Sequence, residues 1–156
     1  MEKKIKRIES TKIDRSIKTE RLEEYDERGN IIHHKDSNGY EAWYDYDERG
    51  NMIHRKDTDG FETWYDYDER GKLIHSKDNG GYEEWREYDE KGNVIHYKTS
   101  NGAESWNEYD ERGNIIHYKD FNGYEEWHKW NEDGKLIYYK NTNGKEEFKK
   151  YEYYEE

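Results

Sequence analysis

One unit of 21 residues recurs six times in succession, and that period restricts the fold more than any single motif does. The copies begin at Tyr25, Tyr46, Tyr67, Tyr88, Tyr109 and Trp130 and close at Lys150. Twelve of the 13 glycines stand in two columns, one running from Gly29 to Gly134 and the other from Gly39 to Gly144. Repeats of this size stack on their neighbours in place of packing around one central core. A residue that recurs in every copy is therefore first a structural residue. Residues 1–24 fit the unit poorly and read as a basic N-terminal cap; residues 25–150 are the repeats, and 151–156 form a C-terminal tail.

Each copy holds two turn signals and two strand-like runs. Asp26-Glu27-Arg28-Gly29 suits a three-residue loop, a type I turn followed by glycine in the left-handed region. Asn38-Gly39 suits a two-residue type I′ loop. Runs such as Asn30–Asp36 and Tyr40–Asp47 are rich in Ile, Tyr and Trp. The expectation is an all-β fold: an antiparallel hairpin meander of about 12 strands, a twisted or superhelical single sheet with the cap at its start. With those two loops, Ile31, His33, Lys35, Tyr40, Tyr44 and Tyr46 share one face. Ile32, His34, Asp36, Glu41, Trp43 and Asp45 share the other, and the Ile32 and Trp43 columns mark it as the buried side. Within the first 24 residues only Thr19–Glu24 resembles a repeat strand; Ile5, Ile8, Ile13, Ile17 and Leu22 suit strand or amphipathic helix equally.

Hydrophobic residues make up 29% of the chain, and 17 tyrosines account for many of them. That content is too low for a two-layer core, so cross-strand pairs must supply the stability. Cysteine is absent, which excludes disulfides and thiolate metal sites. Proline is absent too, as suits a chain whose backbone donors enter a ladder. No apolar run reaches the length of a membrane span, which leads to the expectation of a cytoplasmic protein. The net charge of −12 falls in the repeats: residues 1–24 carry +2, residues 25–129 carry −12 and residues 130–156 carry −2. Such a surface repels nucleic acids and anionic membranes and favours basic partners.

The recurring polar residues invite chemistry but fit it poorly. His33, His54, His75, His96 and His117 lie two strands apart, roughly 9.5 Å, too far to share a zinc ion. Only Lys and Tyr columns are expected beside them, so the ladder reads as structural, with a role as a pH sensor in reserve. Asp57–Gly60 lacks the distal glutamate of a calcium loop and reads as turn chemistry. No nucleophile–base pair or phosphate loop stands out; neither catalysis nor a cofactor or metal is expected. The candidate binding ladder is acidic and aromatic: Glu41, Trp43, Asp45, Glu62, Trp64, Asp66, Glu83, Trp85, Glu87, Glu104, Trp106, Glu108, Glu125 and Trp127.

The Tyr-Asp-Xaa-Xaa-Gly core at Tyr25–Gly29, Tyr46–Gly50, Tyr67–Gly71, Tyr88–Gly92 and Tyr109–Gly113 resembles the YD repeats of bacterial RHS proteins. The resemblance covers residues 25–150, with Trp130-Asn131 as a degenerate last copy. It implies antiparallel hairpins wound into a spiral sheet. RHS proteins form very large shells around a toxin, whereas six units, without a protease-like core or toxin segment, are recognisable here. The family's usual Gly-Arg-Leu is also Gly-Asn-Ile or Gly-Lys-Leu in this chain, and the resemblance transfers no active site.

Three functional readings follow. The leading one is a non-catalytic acidic inhibitor, of the immunity or anti-CRISPR type, that blocks a basic partner such as a nuclease or toxin. The second is a carbohydrate- or choline-binding module that stacks ligands on the aromatic columns. The third is a purely structural repeat scaffold, natural or engineered, with association through sheet edges open to it.

Overall fold

A computed structural model of the protein describes residues 4–13 and 17–151, with side chains from Arg21 onward. The expected tail lies outside the described residues beyond Tyr151. The fold is all-β, a repetitive antiparallel hairpin meander in which the strands follow one another in chain order. Two compact units divide the chain, residues 1–83 and 84–156.

The first unit holds β1 (Lys4–Ile13), β2 (Ile17–Tyr25), β3 (Ile31–Asp36), β4 (Glu41–Tyr46), β5 (Met52–Asp57), β6 (Glu62–Tyr67) and β7 (Leu73–Asp78). Each of these pairs antiparallel with the next. The strand-or-helix question for Ile5 to Leu22 is thereby answered as strand. Leu22 pairs with Lys35 and Glu24 with His33, just as Trp43 pairs with Lys56 and Asp45 with His54. Tyr25, where the first copy begins, is the last residue of β2.

β8 (Glu83–Tyr88) has its first residue, Glu83, in the first unit and the rest in the second, which also contains β9 (Val94–Thr99), β10 (Glu104–Tyr109), β11 (Ile115–Asp120), β12 (Glu125–Trp130), β13 (Leu136–Asn141) and β14 (Glu146–Phe148). These also pair in succession, each antiparallel to the last. Among the described residues no helix is long and apolar enough to cross a membrane.

The second turn corrects the sequence expectation. Asp36 N donates to Tyr40 O at 3.0 Å and Gly39 N to Asp36 O at 3.2 Å, so the loop has three residues, Ser37-Asn38-Gly39, and not two. Gly39, at φ 88°, supplies the left-handed residue that closes such a loop. The Asp36 carboxylate selects this form: its Oδ1 accepts from Asn38 N at 2.8 Å and Tyr40 N at 3.1 Å. The first turn has the expected length and the same device, with Asp26 Oδ1 accepting from Arg28 N and Asn30 N.

A bulge supplies the second correction. Glu24 pairs with His33 but Tyr25 pairs with Ile31, so β3 carries one extra residue there, and β5, β7, β9, β11 and β13 repeat the feature. The longer loop and the bulge each shift the expected pairing by one residue, and a one-residue shift exchanges faces. His33 therefore faces Trp43, not Tyr44. The faces stay in phase from copy to copy, as expected, but their membership changes. One face carries His33, Lys35, Glu41, Trp43 and Asp45; the other carries His34, Asp36, Ala42 and Tyr44.

The tryptophan face is also not the buried one. Trp43, Trp64, Trp85 and Trp106 are 36–41% exposed, whereas Ala42, Asp57, Thr63, Ser76, Thr99 and Asn141 on the opposite face are buried. A single-layer sheet buries only what its neighbours on the same face can cover, and small residues between tyrosines are covered best.

Candidate functional site

Cross-strand pairing arranges the recurring polar and aromatic residues into slanted rows. In the first unit one row reads Glu24–His33–Trp43–Lys56–Glu62, each residue directly opposite the next on the adjoining strand. A second reads Asp45–His54–Trp64–Lys77 and ends on Glu83, 3.3 Å from the Lys77 ammonium. In the second unit Glu87–His96–Trp106–Lys119–Glu125 and Glu108–His117–Trp127–Lys140–Glu146 repeat the order. Within each unit the candidate residues of these rows thus share one face with histidines and lysines, whereas the register expected from the sequence puts His33 and Lys35 on the other face.

Within a row, imidazole lies flat against indole. The ring centroids are 5.1 Å apart for His33 and Trp43, 5.4 Å for His54 and Trp64, 5.2 Å for His96 and Trp106, and 5.2 Å for His117 and Trp127, with interplanar angles of 8–17°. Stacked pairs of this kind add about 0.5–1.5 kcal/mol beyond the area they bury.

The rows are stitched together by glutamate. Glu62 ends one row against Lys56 (3.9 Å) and bonds His54 Nε2 in the next at 2.9 Å. Glu41 does the same between Lys35 (2.6 Å) and His33 Nε2 (3.0 Å). Hydrogen bonds from Lys35 and then His33 hold the Glu41 carboxyl below its ordinary value; for Glu83 the leading cause is His75.

The second ring nitrogen meets the other acid column. His54 Nδ1 lies 2.9 Å from Asp45 Oδ2, His75 Nδ1 2.9 Å from Asp66 Oδ2, and His96 Nδ1 3.2 Å from Glu87 Oε1. The expectation that only Lys and Tyr columns flank the histidines is thereby corrected: carboxylates flank them on both sides. Burial opposes the imidazolium of His54, but its hydrogen bonds to Asp45 and Glu62 and their charges outweigh it, and the pKa rises. His75 and His96 follow the same pattern with their own acids. The two carboxylates sit at opposite ends of the ring and do not converge on one point. Among the described residues no group of three or more such ligands could hold a metal ion.

The candidate acids fall into two classes that the sequence did not separate. Glu41, Glu62, Glu83, Glu104 and Glu125 are engaged by histidine, all half-buried. Asp45, Asp66, Glu87 and Glu108 touch histidine with one edge, yet their side chains are 68–71% exposed. The opposite face supplies residues that sequence reasoning passed over. Arg55 pairs with Asp57 at 2.7 Å and donates to the Tyr40 hydroxyl at 2.7 Å. Arg86 pairs with Glu84, and Tyr97 donates to the same carboxylate at 2.9 Å. Tyr124 and Tyr139 both donate to Glu126. Their signal was variability: these columns change between copies where the others repeat.

Turn-to-turn contacts complete the stacking. Arg28 donates to Glu48 O, Arg49 to Glu69 O, Lys91 to Glu111 O and Arg112 to Glu132 O, each one copy ahead. The tyrosine that opens a copy reaches back, as Tyr46 does to Ile31 O at 2.9 Å and Tyr67 to Met52 O at 2.8 Å. Trp130 substitutes its indole N–H, bonding Ile115 O at 2.8 Å.

Known proteins share this architecture. Residues 25–63 match the family model described as RHS Repeat. No curated protein matches the sequence. The chain is similar to a crystal structure of TcdB2-TccC3-TEV, with 19% identity and a TM-score of 0.70 over 80% of this chain and 7% of that one. A crystal structure of TcdB2-TccC3-Cdc42 gives 17% and 0.68 over the same shares. The Photorhabdus luminescens Tc holotoxin pore, solved with a TccC3 mutant, gives 19% and 0.66 over 77% and 7%. Identities this low show the fold alone, and this chain spans 7% of the length of those it matches. Within residues 25–150 the chain consists of six copies of a unit that resembles the RHS-type YD repeat.

Proposed function

We propose that these residues act as a non-catalytic repeat scaffold, a patterned sheet whose work is to span and cover. One observation carries this reading: the groups that could do chemistry on the histidine face are consumed by one another. Each glutamate in the inner column has a histidine, most have a lysine as well, and the imidazole rings have carboxylates and an indole. Because imidazole covers one face of these indoles, a sugar or quaternary amine would have to compete for stacking, which weighs against the carbohydrate or choline reading.

A second reading keeps the acidic inhibitor of a basic partner. Asp45, Asp66, Glu87 and Glu108 favour it, since they remain exposed beside half-exposed tryptophans. Aromatic anchors ringed by charge are common at interfaces. The two readings separate in one experiment, binding to a panel of basic nucleases at low and high salt. A scaffold gives no saturable binding. An inhibitor gives saturable binding that weakens with salt and is lost when those four acids become Asn or Gln.

A further inference from the structure

We propose that His54, His75 and His96 are imidazolium clamps, holding their second proton to a higher pH than an ordinary histidine, that lock each histidine strand to the strands on both sides, so that alkalinisation loosens the sheet. Geometry comes first. A neutral imidazole has one N–H donor, and its other nitrogen is an acceptor. In these three residues both nitrogens lie 2.9–3.2 Å from carboxylate oxygens, which only accept when ionised. Either the ring carries two protons or one acid is protonated. A carboxylic acid gives up its proton far more readily than an imidazolium does, so the proton belongs to the ring.

Every element packed against each ring contributes to this balance. Asp45 on β4 and Glu62 on β6 face His54, with Lys56 on its own strand 3.9 Å from Glu62. Asp66 and Glu83 face His75, with Lys77 on its strand 3.3 Å from Glu83. Glu87 on β8 and Glu104 on β10 face His96, with Lys98 on its strand paired opposite Glu104. Two negative charges against one lysine leave room for one more cation at each ring. The stacked indoles of Trp64 and Trp106 add a favourable surface for that cation.

The direction of the pH effect follows. A histidine whose pKa is higher folded than unfolded binds its proton more tightly in the folded chain. Its contribution is complete below the ordinary value of 6.5 and is lost as the pH rises through the higher folded value. The imidazoliums also offset three of the twelve net negative charges counted with neutral histidine. Raising the pH therefore removes three clamps and restores repulsion between acid columns at the same moment.

Nitrogen-15 NMR of the histidine rings in the full chain tests this. At pH 6.5 more than half of the His54, His75 and His96 rings should carry two protons, with titration midpoints above that of a histidine peptide. The urea midpoint of unfolding should fall across the same pH range. Asp45→Asn should move the His54 midpoint down towards the peptide value and leave His96, in the other unit, where it was. Mostly single-proton rings at pH 6.5, or midpoints at the peptide value, would overturn the proposal whether or not the variant folds. An equal shift of His54 and His96 in the variant would overturn it too, because it would mark a general change in stability.

Discussion

On the face that carries the tryptophans, one residue type holds almost every column. Lys35, Lys56, Lys77, Lys98, Lys119 and Lys140 form one, Glu41, Glu62, Glu83, Glu104, Glu125 and Glu146 another, and five histidines a third. On the opposite face of the same strands, Ala42 gives way to Thr63, Glu84, Ser105, Glu126 and Glu147, and Tyr44 to Tyr65, Arg86, Asn107, His128 and Lys149. The two faces are held by different logic. On the first, each of Glu41 and Glu62 joins a lysine to a histidine and so ties one row to the next, and a change there disturbs both. On the second, polar groups form small local sets: Arg55 with Asp57, Arg86 with Glu84 and Tyr124 with Glu126 within a copy, and Tyr139 with Glu126 from the next copy. A long-range lattice tolerates no private solutions, whereas a local set can be replaced as a set.

Two single substitutions and two paired ones probe that contrast. The largest effect is expected at Ala42, which is fully buried on the variable face between His34 and Asp57. Ala42→Phe should cost about 3 kcal/mol, because the ring has no space and must displace backbone or tyrosine neighbours. Urea denaturation measures it; a cost near zero would show that the face is open and that its burial has been misjudged. Trp106→Ala comes next. It removes the stack on His96 and the large side chain opposite Lys119, and with the indole 39% exposed the loss should be about 2 kcal/mol. Hydrogen exchange should quicken in β9 and β11 together, since the indole joins two strands.

The sequence made the strand order legible because glycine and Asp-Xaa-Xaa-Gly punctuate it at fixed intervals, and these signals act locally. It made the recurrence of the candidate acids and tryptophans at a fixed interval legible for the same reason. Their partners were not legible. Asn38-Gly39 favours a two-residue loop by itself, but Asp36 caps a three-residue one, and a side-chain-to-backbone bond outweighs the dipeptide preference. The bulge next to Ile31 leaves no composition signal at all. Those two shifts of one residue placed Trp43 with the wrong neighbours, hid the carboxylates flanking each histidine, and made the tryptophan face seem the buried one.

The smallest effect tests the idea of local sets most closely. Arg86 and Glu84 form an ion pair at 2.7 Å, both half-buried, and Arg86 also lies over the Tyr97 ring at 5.4 Å. In the next copy the same positions hold Ser105 and Asn107, with Tyr118 in the place of Tyr97. Arg86→Asn alone leaves the Glu84 carboxylate with less compensation in a partly desolvated place, for a cost of about 1 kcal/mol. Adding Glu84→Ser transplants the neighbouring copy's solution and removes the uncompensated charge. The double variant should return to within about 0.5 kcal/mol of the parent chain, a coupling that a double-mutant cycle in urea reads directly. The corresponding paired exchange on the other face, Lys98→Glu with Glu104→Lys, should not recover in this way, because Glu104 also bonds His96 at 2.9 Å and a lysine there would oppose the imidazolium. Equal recovery on both faces would erase the distinction between lattice and local set.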